Sequence, residues 1–428
     1  MLRFAPSPTS DMHIGDLRIA LFNYIVSKQK KEDFIVRIED TNKEKNVDGK
    51  DQEILDILDL FGIKYSQTIY QSQNYKFHSA MALQLMHDKK AFSCFCSNEW
   101  LDKKHQEAKE AKEKYSYDDA CRNLPDELVI DNINPFTVRI IRPSNDIVLH
   151  DKIKGEISFT PDEVDSFIIM NHDKSSTSNF ASAVDDMISD ISIIIRDENH
   201  ITNTAKQEYI RKSLGYEKNI EYVHLPALLN DDDNNEDSLS VKHLLEQGFL
   251  PEAISNYLIS IGNKTPDDIF DLEEAVKFFD LENISNSPAR FSIDTLKNIN
   301  QKYLKNLDAK ELSRYVGFAD AEIGELARVY LESVSTTKEL KAKIEPIFSV
   351  KKLPENLENQ ANIIIEVIKD APYFNEYNDF KDYIIKETGI KEDDFIKPLR
   401  YILTGSSSGP DIAEVYKYLK NYIGEIVK

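Results

Sequence analysis

The sequence predicts an α/β protein: a doubly wound parallel sheet, an inserted α+β segment and an all-α C-terminal region. Three observations predict it. Strand, helix and strand patterns follow one another within the first forty residues, the mark of a parallel βαβ unit. The pattern breaks near residue 91 and resumes near FIIM (167–170) and ISIIIR (191–196). After about residue 240 nearly every apolar pattern has helical period.

Leu2 to Ala5 forms a short buried strand that stops at Pro6. After a Pro-Ser-Pro-Thr turn, Gly15 opens a helix whose Leu17, Ala20, Leu21, Tyr24 and Ile25 make one apolar stripe. Phe34 to Ile38 is the second strand. Ile54, Ile57, Leu58 and Phe61 mark a further helix, with Gly62 placed to end it. AFSCFC (91–96) begins the excursion. A charged helical run follows, then TVRII, DIVLH and EISFT, short strands assigned to the insertion. FIIM and ISIIIR return to the main sheet. VKHLLEQG, PEAISNYLISIG and LEEAVKFF begin the helical region, which runs to the segment LTGSSSGP (403–410), a turn, and beyond.

At 428 residues the chain has room for about three domains. Hydrophobic residues at 41% allow a large core and exclude disorder of the whole chain. The formal charge of −22 excludes a uniformly basic nucleic-acid coat but leaves room for a local basic groove. Three cysteines cannot build a disulfide framework; they imply a reducing compartment and free thiols or a metal. No run has the length of a membrane span, so the expectation is a cytoplasmic protein with no membrane partner.

Two motifs carry chemistry in the first half. Pro6-Ser7-Pro8-Thr9 leads to His13-Ile14-Gly15 at a helix start, where unpaired N–H groups and the helix dipole suit phosphate. His13 could donate to a phosphate oxygen or simply cap the helix. Arg37-Ile38-Glu39-Asp40-Thr41 ends the second strand, where ligands of parallel sheets sit. A carboxylate there could hold an amino group, or Asp40 or Thr41 could be a helix N-cap.

RFAPSPT…HIG followed by RIEDT resembles the glutamyl-tRNA synthetases, class I ligases with a Rossmann catalytic domain. The resemblance spans the chain, taking in IIIRDENHITNTAKQ (193–207) and PLRYILTGSSSGP (398–410). It implies a catalytic domain split between residues 1–90 and 166–240, an acceptor-binding insertion at 91–165, a helical stem-contact region at 241–305 and a helical anticodon-binding domain at 306–428. It also implies ligation of L-glutamate to tRNA through glutamyl-adenylate, with ATP and Mg²⁺ required and the enzyme acting as a monomer. Carried over by motif, Arg3, Ser7, Glu39, Ser178 and Arg196 would line the glutamate site, with Arg196 on the substrate's side-chain carboxylate. The alternative for Arg196 is an ion pair with Asp197 or Glu198. Pro8, Thr9, His13, Gly15 and His200 would hold ATP. Lys391, Lys397 and Arg400 are the candidate tRNA contacts, against the reading of a solvated helix face.

All three cysteines fall in Cys94-Phe95-Cys96 and Cys121, with Tyr117 between. Thiolates suit tetrahedral zinc, and the pattern is similar to the zinc site of some family members, where a tyrosine is the fourth ligand. His105 and Tyr115 are alternative ligands, and reduced cysteines in a small core are the alternative to Zn²⁺.

The chain departs from the family in one segment above all. The family's lysine-rich loop follows the His-Leu-Pro strand, but here His224-Leu225-Pro226 leads to residues 231–237 with five acids and no base. Lys242 is the nearest cation, and Lys206 or magnesium the other candidates to supply the missing charge. A like-charge pair at 4 Å costs about 4 kcal/mol at an effective dielectric near 20. Ser10, Ser178 and Asp197 also replace the usual residues. These departures support a second reading, a catalytically impaired or repurposed synthetase paralogue that binds tRNA, glutamate or a protein partner.

Overall fold

The computed structural model describes residues 1–113, 115–230 and 239–427. The acid-rich stretch 231–237 therefore lies outside the described residues. The chain forms two units: Met1–Val241 with Leu258–Phe291, and Lys242–Tyr257 with Ser292–Lys428.

Among the described residues the first unit holds twelve strands in three sheets: β1 (Leu2–Phe4), β2 (Phe34–Ile38), β3 (Thr68–Tyr70), β4 (Ala91–Cys94), β5 (Thr137–Ile140), β6 (Ile147–Asp151), β7 (Gly155–Phe159), β8 (Ile168–Met170), β9 (Ile193–Asp197), β10 (Glu221–Leu225), β11 (Leu228–Asn230) and β12 (Ala289–Phe291). The main sheet has the order β3-β2-β1-β9-β10-β6-β7. Neighbours from β3 to β6 are parallel, and β7 closes one edge as an antiparallel hairpin with β6. β1 and β2 are buried on both faces, which is why they read as unbroken apolar runs around Arg3 and Arg37.

The βαβ start is as expected: β1, the helix Ile14–Lys30, then β2 parallel to β1. The helix Lys50–Leu60 ends at Gly62, whose positive φ lets its N–H reach the Asp59 carbonyl while the Ile63 N–H reaches Leu58.

Two strand assignments differ from the sequence reading. DIVLH and EISFT form the β6–β7 hairpin at the edge of the main sheet, not a sheet of the insertion. FIIM, expected in the main sheet, instead pairs with β5 in the small antiparallel sheet β4-β5-β8. Short apolar runs look alike whichever sheet they join; long-range pairing decides. The insertion's sheet is thus closed by strands from either end of the excursion.

The second unit is helical. Its core gathers Leu304, Leu312, Leu326, Ile364, Phe395 and Leu399, each fully buried, from successive helices. No helix among the described residues is long and apolar enough to cross a membrane.

Candidate active site

The strand order reverses at β1, which has β2 on one side and β9 on the other. In an open parallel sheet that reversal leaves a crevice beyond the carboxyl ends of the strands. Here it is a hollow of about 160 Å³, comparable to the roughly 150 Å³ that holds one benzene. Arg3 and Pro6 come from β1 and its exit, Glu39 from the end of β2, Arg196 from β9, and Ser178 and His200 from the starts of following helices. The hollow thus unites Arg3, Glu39, Ser178, Arg196 and His200 of the expected residues. Ser7, Thr9, His13 and Gly15 do not line it. A larger hollow of about 780 Å³, lined by Thr41, His78, Asp173 and Ser176, shares Ser178 with it.

The floor is an ionic cluster. Arg3 donates to both oxygens of Asp186, Nε to Oδ1 at 3.1 Å and Nη2 to Oδ2 at 3.3 Å, and Arg37 Nη1 donates to Oδ1 at 2.6 Å. All three side chains are buried. Burial pushes the Asp186 carboxyl up, but the charges of Arg3 and Arg37 outweigh it and hold it well below the ordinary range. Arg37 also donates to Glu39 Oε1 at 3.1 Å, as does Ser182 Oγ at 2.8 Å. The Glu39 carboxylate is thereby held at the edge of the hollow.

Arg196 is different. It makes neither of the ion pairs with Asp197 or Glu198 that the sequence left open. Asp197 accepts from the Asn199 N–H. Glu198 pairs with Lys154 and accepts from the Ala227 N–H. The Arg196 Nη2 donates instead to Thr204 Oγ1 and, at 3.0 Å, to Gln207 Oε1. Both partners are neutral, and among the described residues no carboxylate lies within ion-pair distance. Burial, with the nearby charge of Arg3, pulls the guanidinium down to about 9, so it stays charged at neutral pH. His200 is likewise lowered, by burial and then by Arg196. A buried charge with no ion-pair partner among the described residues suits an anion in the hollow.

His13 does cap its helix. Its Nδ1 accepts from the Gly15 N–H at 3.0 Å, and Asp16 returns a bond to the His13 N–H, a capping box. An acceptor Nδ1 assigns the proton of the neutral ring to Nε2, which is thus a donor. A Cβ on Gly15 would stand 3.0 Å from that Nδ1; a side chain here would crowd the ring and push it by a few tenths of an ångström. The capping and ligand-binding readings of His13 are therefore compatible. Pro8 is buried, and its carbonyl accepts from the Val47 N–H at 2.9 Å. After the acid-rich stretch the chain returns to this motif: Ser240 bridges His13, and the Val241 N–H donates to Met12.

The helix-cap reading of Asp40 and Thr41 is corrected. The next helix begins at Lys50 behind Gly49. Asp40 instead accepts from Ser72 N–H and Oγ, at 2.8 and 2.6 Å, tying β2 to the turn after β3.

The cysteines gather as expected. Their sulfur atoms all lie within 4.8 Å of one another, with Cys96 and Cys121 at 3.6 Å. The Tyr117 hydroxyl is 3.4 Å from Cys94 Sγ and 3.3 Å from Cys96 Sγ. Tetrahedral zinc with bonds of about 2.3 Å to sulfur and 2.0 Å to oxygen requires edges of about 3.8 and 3.5 Å, so the donor set fits. His105 and Tyr115, the alternative ligands, pack against each other as tilted rings with centroids 3.7 Å apart. Arg139 lies over the Tyr117 ring and donates to Cys94 Sγ at 3.4 Å. Burial raises the Cys94 thiol, but Tyr117, the Cys96 N–H and Arg139 bring it down to about 7. Asp165 holds the Tyr117 N–H with both oxygens, and Arg142 binds the Tyr117 carbonyl.

The remaining candidates lie in the second unit. Lys242 stands on the short helix Val241–Glu246. Lys391 precedes the helix Glu392–Thr404, Lys397 is exposed on it, and Arg400 Nη1 donates to the Pro410 carbonyl at 2.8 Å. That last bond makes Arg400 a brace for the 405–410 turn.

The reading of the sequence missed Asp186 and Ser182 and gave no role to Arg37, Thr204 or Gln207, although these lie in motifs it singled out. A signal existed for Asp186: Asp185-Asp186 interrupts the apolar run of the helix Ser178–Ile188, and two adjacent acids on a buried face demand partners.

A parallel sheet with H-I-G at its switch-point helix, and Arg196 and Glu39 lining one crevice, is the arrangement expected of a class I aminoacyl-tRNA synthetase fold. The family model described as tRNA synthetases class I (E and Q), catalytic domain, matches residues 1–298, and one described as an anticodon binding domain matches residues 308–421. The chain belongs to the class I tRNA synthetases of the E and Q family. It is 63% identical, over the full length of both chains, to a Sulfurimonas denitrificans protein named glutamate--tRNA ligase 2. Over the same full span it is 47% identical to a Campylobacter jejuni protein named glutamate--tRNA ligase 1. A solved glutamate tRNA ligase from Elizabethkingia meningosepticum, in complex with its amino acid, shares the fold with TM-score 0.83 at 23% identity, covering 99% of this chain and 97% of that one.

Proposed function

We propose that this chain ligates L-glutamate to tRNA in two steps. The α-carboxylate of glutamate attacks the α-phosphate of ATP, releasing pyrophosphate, and the terminal ribose hydroxyl of tRNA then takes the glutamyl group and releases AMP. The observation that carries the reading is Arg196, a charged group in a hollow sized for one small molecule and lacking an ion-pair partner among the described residues. The side-chain carboxylate of glutamate supplies that partner, in a bidentate geometry suited to guanidinium. Glu39 takes the amino group, and Arg3 and Ser178 close the hollow. The helix start at His13 and Gly15 takes ATP phosphate, with His13 Nε2 as donor and Mg²⁺ arriving with the nucleotide. Catalysis here is positioning and charge stabilisation.

Cys94, Cys96, Cys121 and the Tyr117 hydroxyl would hold a structural Zn²⁺, which supplies tetrahedral cross-linking of the insertion that meets the tRNA acceptor end. The helical region from 306 onward takes the anticodon. The thiol cluster suits the cytoplasm. The impaired-paralogue reading is not favoured. The residues of the hollow are in place, and the full-length relatives are named as ligases.

The test is ATP–pyrophosphate exchange with glutamate and tRNA present. Arg196→Ala lowers kcat/KM for glutamate by at least about a hundredfold, the loss expected for one half of a desolvated charge pair. Wild-type exchange at background, or an unaffected variant, removes the reading.

A further inference from the structure

Arg196 has no ion-pair partner among the described residues, yet a chain of three hydrogen bonds links it to a buried carboxylate, Asp151. Arg196 and His224 are register partners on the adjacent parallel strands β9 and β10. Thr204 and Gln207, one turn apart on the helix Ile201–Ser213, reach the same guanidinium. His224 Nε2 lies 2.7 Å from Thr204 Oγ1, and His224 Nδ1 lies 2.7 Å from Asp151 Oδ2. Thr204, His224 and Asp151 are all buried.

The proton positions follow from the partners. Asp151 accepts from the N–H groups of Ile153, Lys154 and His224, at 2.9, 2.8 and 2.9 Å, as an ionised carboxylate does. Nδ1 of His224 therefore carries a proton toward it, and in the neutral ring Nε2 is an acceptor. The Thr204 hydroxyl has one proton and two acceptors within reach, this nitrogen at 2.7 Å and the His200 carbonyl at 3.0 Å. When the proton goes to the nearer nitrogen, both lone pairs of Oγ1 are left for donors, and Arg196 is the donor present.

We propose that His224, acting through Thr204, is a positioning residue that orients Arg196 for the carboxylate of the amino-acid substrate. The inference rests on the reading of Arg196 given above. An arginine side chain has many rotamers to lose, and a guanidinium locked before binding loses less of that freedom when substrate arrives. With Arg196 assigned to glutamate and His13 and Gly15 to ATP phosphate, the relay is expected to act on the glutamate side. A threonine that merely bonds back to the His200 carbonyl, as threonines in helices do, would not need His224.

Thr204→Val removes the hydroxyl and keeps the shape. It is expected to raise KM for glutamate about tenfold while KM for ATP stays unchanged, and Thr204→Ser restores the wild-type value. His224→Asn keeps the group facing Asp151 but withdraws the acceptor from Thr204, and it reproduces the glutamate defect. His224→Gln places an amide near the Nε2 position and recovers most of it. In the double variant Thr204→Val/His224→Asn the defect is no larger than in Thr204→Val alone. Equal shifts in both KM values, additive defects, or a wild-type KM in His224→Asn overturn the proposal. Should Thr204→Val fail to fold, the Asn and Gln variants of His224 decide alone. Failure of the underlying reading has a separate signature, absence of glutamate-dependent exchange in the wild type.

Discussion

Asp186→Asn removes the negative charge that two buried guanidiniums share. The carboxylate accepts three hydrogen bonds, at 3.1, 3.3 and 2.6 Å, and neither it nor Arg37 has any exposed side-chain surface. An asparagine of the same shape leaves Arg3 and Arg37 facing a neutral amide, with Arg196 and Arg211 nearby to add repulsion. Breaking one partner of a buried pair costs about 3–5 kcal/mol. At about 2–4 °C per kcal/mol for a unit of this size, its thermal midpoint falls by roughly 6–20 °C. The effect depends on pH in a defined direction. The folded-state pKa of Asp186 lies below the unfolded value near 3.8, so its contribution is complete above that value and is lost as the pH drops toward the folded pKa. Differential scanning calorimetry of wild type and variant at pH 7 and below pH 4 measures both; the gap is wide at pH 7 and narrows in acid. A shift at pH 7 under about 2 °C, or a gap that widens in acid, refutes the account of the cluster.

The other outcomes are simpler to state. Gly15→Ala crowds the His13 ring and shifts it; a cap weakened by up to about 1 kcal/mol is offset by a similar gain in helix propensity. The thermal midpoint thus holds while KM for ATP rises severalfold, and an unchanged KM would show that the ring need not be fixed. Cys121→Ser, or chelation, speeds amide exchange across residues 91–125, and purified protein carries one equivalent of zinc; protein lacking stoichiometric metal disproves the site. His200 is depressed by burial and by Arg196, so glutamate bound at Arg196 neutralises that charge and moves the His200 pKa upward. An NMR titration of the imidazole that shows no upward shift on adding glutamate contradicts carboxylate binding there.

Local patterns in the chain were enough to locate the βαβ start, because an apolar stripe of period 3.6 between two apolar runs has one stable packing. They also located the H-I-G helix start and the grouping of Cys94, Cys96 and Cys121, which lie close in the chain; the family resemblance, not spacing, singled out Tyr117 from His105 and Tyr115. Tertiary structure alone decided the sheet membership of DIVLH, EISFT and FIIM, since a strand of three to five residues carries no record of its partner. It also decided that Arg196 turns from its neighbours Asp197 and Glu198 to Thr204 and Gln207, and that Asp186, distant in the chain by 183 and 149 residues from Arg3 and Arg37, neutralises them. Charges declare their type in sequence but not their company. The energy of a buried ion depends on the few atoms within hydrogen-bond reach, and those are chosen by the register of β1, β2, β9 and β10.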